Sequence, residues 1–231
     1  GNSVAQELLA RNEMLLRKRK HDSKSSDDDD DDEGEKETSA KVDLSDSKIP
    51  KSNPFDIKSV TFLNGGLFGG KNKPLRIMKI ILGPLGGFLC SWLSFRIFNK
   101  YISKLYYTAN ATKSTTKRIQ MAVRACYAMV RHKEGHWEFP KILVYLTERL
   151  LNYKRWTHIL VQTDSPVHFI CGVKDPISGQ CMADEWQKLL KRKAIELQIG
   201  HWPHIEDPDT VVNLLFGIYK NIEAKQSTSI Q

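Results

Sequence analysis

Hydrophobic and polar positions change rhythm several times along the chain. Val4, Leu8 and Leu9 open it at helical spacing. Apolar residues then thin out over 17–56, where a basic knot (17–20), a Ser-rich stretch and a run of acids follow one another. Residues 57–63 are β-branched and largely apolar and stop at Asn64-Gly65-Gly66, the pattern of a strand entering a tight turn. Between Leu75 and Val161 apolar residues recur three and four apart, in 77–82, 119–130 and 142–151, with Gly/Pro or Thr-rich breaks between them. That stretch predicts a helical block. A second buried-strand run covers 166–172, a helix 182–191, a short strand 194–199, a loop 200–204 and a final helix 208–223. Strand, helix, strand, helix at this spacing predicts an α/β fold: a parallel sheet with crossover helices. The expected divisions are a first helix over 1–16, an insertion over 17–56, a strand and turn over 57–70, the helical block over 71–163, and a carboxy-terminal α/β part over 164–231.

The chain has 231 residues, 40% of them apolar, which is enough to bury a core and argues against wholesale disorder. Fourteen Gly and nine Pro are too few and too scattered for a collagen or a Pro-rich array. The net charge of +8 is unevenly spread. Residues 21–51 hold twelve Asp and Glu against five Lys, leaving +15 on the remainder. Six adjacent carboxylates, 27–32, repel one another and bury nothing, so 17–56 is expected to be a disordered surface insertion between a helix and a strand. A calcium-binding or protein-binding tail is the competing reading, but EF-hand spacing and its Gly turn are missing. The basic knot suits either a nuclear import signal or a charged helix end.

A basic body favours nucleic acid or anionic lipid in general. Here nucleic-acid binding rests on charge alone, and no nucleic-acid partner is expected. Residues Ile80 to Phe95 carry no charge, yet sixteen residues fall short of a membrane span and Gly83-Pro84, Gly86 and Gly87 interrupt them. Membrane contact there would take the form of an interfacial segment between Lys79 and Arg96. The four cysteines show no CxxC pair and no His at ligand spacing, so no metal is expected; Cys171 and Cys181 flank one loop and could pair in an oxidising compartment. No phosphate loop, dinucleotide fingerprint or haem motif occurs, and no cofactor is expected. Asn110-Ala111-Thr112 is a formal glycosylation acceptor.

In parallel α/β sheets functional groups sit in loops past the carboxyl ends of strands. Two such loops each offer one group of the right type: Asp175 after one strand and His201 after the next. An Asp before Pro commonly serves only a turn, and a lone loop His commonly lies on the surface. The pair is more specific, because an acid that orients an imidazole and an imidazole that acts as general base are two members of a nucleophile, base and acid constellation. Acid followed by His is also their order in α/β-hydrolases.

Gly172-Val173-Lys174-Asp175-Pro176-Ile177 and Gly200-His201-Trp202-Pro203-His204-Ile205-Glu206-Asp207-Pro208 resemble the acid and histidine loops of α/β-hydrolases in the haloalkane dehalogenase and epoxide hydrolase branch. Within that branch the resemblance is closest to the mesoderm-specific transcript proteins. It extends through 1–9, 63–68 and 166–170 and leaves out the acidic insertion; the helical block matches only loosely. The resemblance implies that 71–163 is a cap over the pocket, that Asp175 and His201 are catalytic, and that the substrate is small and apolar or lipid-like. It also suggests an endoplasmic reticulum membrane. In such proteins the nucleophile is an Asp two residues before a Gly that opens a helix, and Gly1 resembles that Gly. The sequence is thus expected to be an amino-terminally truncated fragment whose nucleophile lies upstream. Its absence motivates the competing reading, a catalytically inactive membrane-associated or binding protein that keeps the framework.

Some relatives take their acid from the loop after the strand preceding the cap, but here that position holds Asn64, which cannot act as a carboxylate. His204 is expected to pack the loop or to serve as a hydrogen-bond partner. Asp207 is expected to cap the last helix with Pro208 at its first position. Cap tyrosines polarise the ring oxygen in epoxide hydrolases; Tyr101, Tyr106, Tyr107, Tyr127 and Tyr145 are present, and no motif selects among them.

Overall fold

The computed structural model describes residues 2–24, 57–109 and 111–228. Most of the acidic insertion and Asn110 therefore lie outside the described residues. Helix α1 (Asn2–Lys24) continues through 17–24, past the boundary that composition suggested. Lys and Arg are good helix formers, so a change in charge need not end a helix, and the basic knot occupies its last turns. Leu9 is buried on α1 as the pattern implied, but Leu8 is exposed, and Gln6, Ala10, Asn12 and Glu13 share the buried face. Two of these polar groups have partners on neighbouring elements: Gln6 Nε2 donates to Leu67 O at 3.1 Å, and Thr163 Oγ1 donates to Glu13 at 3.0 Å.

Three parallel strands, β1 (Val60–Leu63), β2 (Val167–Gly172) and β3 (Ile195–Leu197), form one sheet in the order β1-β2-β3. Val60 pairs with Val167 and Leu63 with Ile170, while Ile170 also faces Ile195. β1 is shorter than the expected 57–63 because its ladder starts where Val60 N donates to Pro166 O, and Pro166 has no N–H to extend it. All of β2 except His168 is buried, as a central parallel strand requires. Helix α9 (Gln180–Leu190) leads from β2 to β3 and places Met182 and Trp186 in a core with Phe62, Phe169, Leu9 and Phe68. The Phe169 and Trp186 rings lie 5.3 Å apart.

Between β1 and β2 the chain is helical, as its periodicity predicted. It forms α2 (Arg76–Ile81), α3 (Gly86–Ser91), α4 (Phe95–Ile102), α5 (Lys113–Arg131), α6 (Gly135–Ile142), α7 (Tyr145–Leu151) and α8 (Tyr153–Gln162). Thr112 caps α5 by accepting from Thr115 N at 3.1 Å. The buried face of α5, Ile119, Val123 and Val130, joins Phe98 and Tyr106 in a second core. α8 packs on α1 and belongs to the first. The chain ends with a short helix α10 (Pro203–Glu206) and α11 (Pro208–Thr228). Pro208 does stand first in α11, and Thr210 N donates to Asp207 Oδ1 at 3.3 Å.

Candidate active site

The carboxyl ends of β1, β2 and β3 converge on one point. Asn64 directly follows β1, Asp175 lies three residues past β2, and His201 follows β3 by four. Because the strands are parallel and adjacent, their trailing loops are held side by side. His201 Nδ1 and Asp175 Oδ2 are 2.7 Å apart, joining loops 26 residues apart in sequence. The Asp175 side chain is fully buried, whereas that of His201 is 23% exposed. The acid is thus fixed inside, and the imidazole sits at the rim.

Asp175 is held from every side. Ile177 N donates to its Oδ1 at 2.8 Å, closing an Asx turn, and Ser178 Oγ donates to its Oδ2 at 2.6 Å. Asn64 Nδ2 adds a third side-chain donor at 3.2 Å. Burial alone would push this carboxyl up. The hydrogen bond and charge of His201, with Ser178 and Ile177 N–H, outweigh burial and hold it below the ordinary Asp value. A carboxylate so placed keeps the imidazole proton on Nδ1 and leaves Nε2 as the basic nitrogen.

Asn64 links the three loops. Its backbone is left-handed, with φ at 52°, a conformation that Asn tolerates better than most residues. Its Nδ2 donates to His201 O at 2.7 Å and approaches Gly200 O at 3.3 Å, while its Oδ1 accepts from Gly172 N at 3.3 Å.

The histidine loop is clamped by a buried acid. Glu206 accepts from Gly200 N at 2.9 Å and from Tyr107 N at 3.0 Å. Burial pushes its pKa up, against the lowering effect of the Gly200, Tyr107 and Trp202 N–H groups; the Asp175 charge raises it further. His201 N donates to Leu105 O at 2.8 Å, fastening the loop to the segment between α4 and α5 of the helical block. Glycine is required at both crossing points: a Cβ on Gly172 would stand 2.1 Å from Gly200 O, and one on Gly200 would stand 2.4 Å from Leu105 O. Trp202 lies between the His201 ring, 4.9 Å away, and the Tyr106 ring, 4.8 Å away.

The structure thus brings Asp175 and His201 together and places Tyr106 and Tyr107, among the five tyrosines, beside the histidine loop. His204 is exposed on α10. Sequence reasoning passed over Ser178, took Glu206 only as part of the histidine-loop motif, and saw in Asn64 only a missing carboxylate. Ser178 had a signal, three residues beyond an Asp in a turn. Glu206 had none, because its partners are backbone amides, which side-chain pattern does not report. Cys171 and Cys181 are both free thiols. Among the described residues no group of three or more His, Cys, Asp or Glu is placed to hold a metal ion.

The chain is similar to the mesoderm-specific transcript protein of Mus musculus, with 26% identity over 173 residues, 72% of this chain and 50% of that protein. The Homo sapiens homologue is 25% identical over the same length and shares. LipZ of Mycobacterium tuberculosis, whose name assigns it provisionally to the hydrolases, is 24% identical over 174 residues, 74% of this chain and 58% of LipZ. The chain spans about half the length of the curated relatives it matches. No protein-family model and no solved structure matches it.

Proposed function

We propose that this chain carries the general base, His201, and the orienting acid, Asp175, of a hydrolase with the α/β-hydrolase fold of the haloalkane dehalogenase and epoxide hydrolase type. The observation that carries the reading is the 2.7 Å contact between His201 Nδ1 and the buried Asp175 carboxylate at the carboxyl edge of a parallel sheet. The provisional hydrolase name of LipZ and the similarity to mesoderm-specific transcript proteins support it. On this reading 71–163 is the cap over a pocket for a small apolar or lipid-like substrate.

On this reading the nucleophile is an Asp that this chain does not carry. Its carboxylate oxygen bonds to an electrophilic carbon of the substrate as the carbon–leaving-group bond breaks, giving an ester. His201 Nε2 then takes a proton from water, the resulting hydroxide attacks the ester carbonyl, and the product alcohol leaves as the carboxylate is regenerated. Asp175 stabilises the imidazolium formed in that step.

In this scheme the base serves only the second step, which gives a direct test. The intact protein is screened against short-chain and aryl epoxides, haloalkanes and esters, with wild type beside His201→Ala and Asp175→Asn. Turnover is expected to fall about a thousandfold in each variant. His201→Ala is expected to gain the mass of a bound substrate fragment on an Asp-containing peptide. Turnover by wild type that both variants retain in full would refute the assignment.

A further inference from the structure

Helix α3 is apolar on the side that faces water. Gly86 and Cys90 turn inward, Cys90 joining Ile81 and Leu143 in a small third core. On the outer side stand Leu85 at 65% exposure, Phe88 at 53%, Leu89 at 44% and Trp92 at 76%. The Phe88 and Trp92 rings are 6.3 Å apart, so they form one patch. Trp137 of α6 lies against Gly87 and is itself half exposed, extending the patch onto a second helix. An exposed Trp beside Phe and two Leu is a costly arrangement in water and marks a surface that works by being covered.

The surrounding charge says what covers it. Between Asp56 and Glu134, over 57–133, the sequence has no acidic residue, and it holds fourteen Lys and Arg there. Lys79 and Arg96 are exposed on either side of the apolar run. Arg131 reaches over to donate to Ser91 O at 2.9 Å, which sets a guanidinium beside Trp92. Glu138, the acid on α6, is neutralised by Lys141 at 2.7 Å. Aromatic and aliphatic side chains inside a cationic rim fit the headgroup level of an anionic bilayer, where rings enter the interface and cations meet phosphate. The fold also determines the mode of contact: residues 80–95 are broken into short helices, and among the described residues no helix is long and apolar enough to cross a membrane.

We infer that Leu85, Phe88, Leu89 and Trp92, rimmed by Lys79, Arg96 and Arg131, form an interfacial docking surface for anionic phospholipid. It lies on the α2–α3–α6 side of the helical block and is independent of the Asp175–His201 pair.

The experiment uses the intact protein with sedimenting vesicles of phosphatidylcholine alone or with a minority of phosphatidylserine. Binding is expected to favour the anionic vesicles and to weaken with salt. Phe88→Ser/Trp92→Ser is expected to lower the partition coefficient about tenfold. Because that double variant could misfold, Lys79→Glu/Arg96→Glu is measured beside it and is expected to abolish the preference for phosphatidylserine. The emission lost in Trp92→Phe isolates Trp92 in the wild type, and this component is expected to be quenched by brominated phosphatidylcholine. Three results would overturn the inference: Trp92 emission indifferent to brominated lipid, partitioning equal on neutral and anionic vesicles, or Trp92 shielded from dissolved iodide without vesicles. The last would mean that protein, from the same molecule or a second copy, already covers the patch.

Discussion

Asn64 Nδ2 and Asp175 Oδ2 lie 3.2 Å apart although 111 residues separate them, and the same amide donates to His201 O at 2.7 Å. One buried side chain therefore fixes the acid and the backbone of the base together. Asn64→Ala leaves both acceptors short of a donor in a dry site and places Ala at φ 52°. A loss of about 2 to 3 kcal/mol of stability is expected, read from denaturant midpoints. Asn64→Asp nearly keeps the shape but sets a second carboxylate against Asp175. The two then share a proton, and the acid limb of the activity profile is expected to move to higher pH. An unmoved limb in a folded Asn64→Asp protein would mean that this contact does not exist in solution.

Asp175 and Glu206 give opposite pH signatures. Asp175 is held below its ordinary value once its hydrogen bonds have overcome burial. Its contribution to stability is present above the unfolded Asp value of about 4 and is lost as pH falls through the lower folded value. Glu206 is pushed up by burial despite its backbone donors. The folded protein therefore binds that proton more readily than the unfolded chain does, and stability from this group rises as pH falls from neutral through its raised value. Glu206→Gln is expected to remove the rise in weak acid, and Asp175→Asn the loss in strong acid. Denaturant midpoints collected across pH check both.

The strands were legible because β-branched runs ended at Gly or Pro, and the meeting of Asp175 with His201 because the parallel order sets successive loops side by side. Helical spacing marked the block between β1 and β2 for the same reason that it marks any buried helix face. What could not be read were contacts that depend on depth. Leu8 fits the apolar pattern yet faces out, while Gln6 breaks it and is buried, since the Leu67 carbonyl waits for its amide. Asn64 looked like an absent carboxylate in one dimension; in three it is the donor that binds two loops. Glu206 was legible only as part of the histidine-loop motif, but its work is done on Gly200 and Tyr107 backbone amides, which leave no trace in side-chain pattern.

Gly200→Ala tests the crossing of the histidine loop and the helical block. The added Cβ would stand 2.4 Å from Leu105 O and 2.7 Å from Tyr107 N, both backbone atoms that no rotamer change can move. The loop must then shift, and His201 shifts with it. A shift of about 1 Å at a reacting group costs on the order of a hundredfold in rate. The expected result is that loss of turnover together with broadening of the His201 imidazole signals in NMR, while far-UV circular dichroism stays unchanged.

Cys171 reports on the same crossing by its silence. Its thiol is fully buried beneath the site, facing Asn64 Oδ1, Ser178 O and Gly179 O. Burial, aided by the Asp175 charge, pushes its pKa up to about 12, so almost none is thiolate near neutral pH. Cys181 is only partly buried at the edge of the first core, its Sγ on Lys71 O. A maleimide on the native protein is expected to label Cys181 and spare Cys171, with both labelled after unfolding, as peptide mass mapping would show. Mild oxidation should leave the two unlinked for the same reason: Cys171 must first leave its place beside Asn64, which opens the three loops that hold Asp175 and His201. Fast labelling of Cys171 in the native state would mean that those loops are not packed as described.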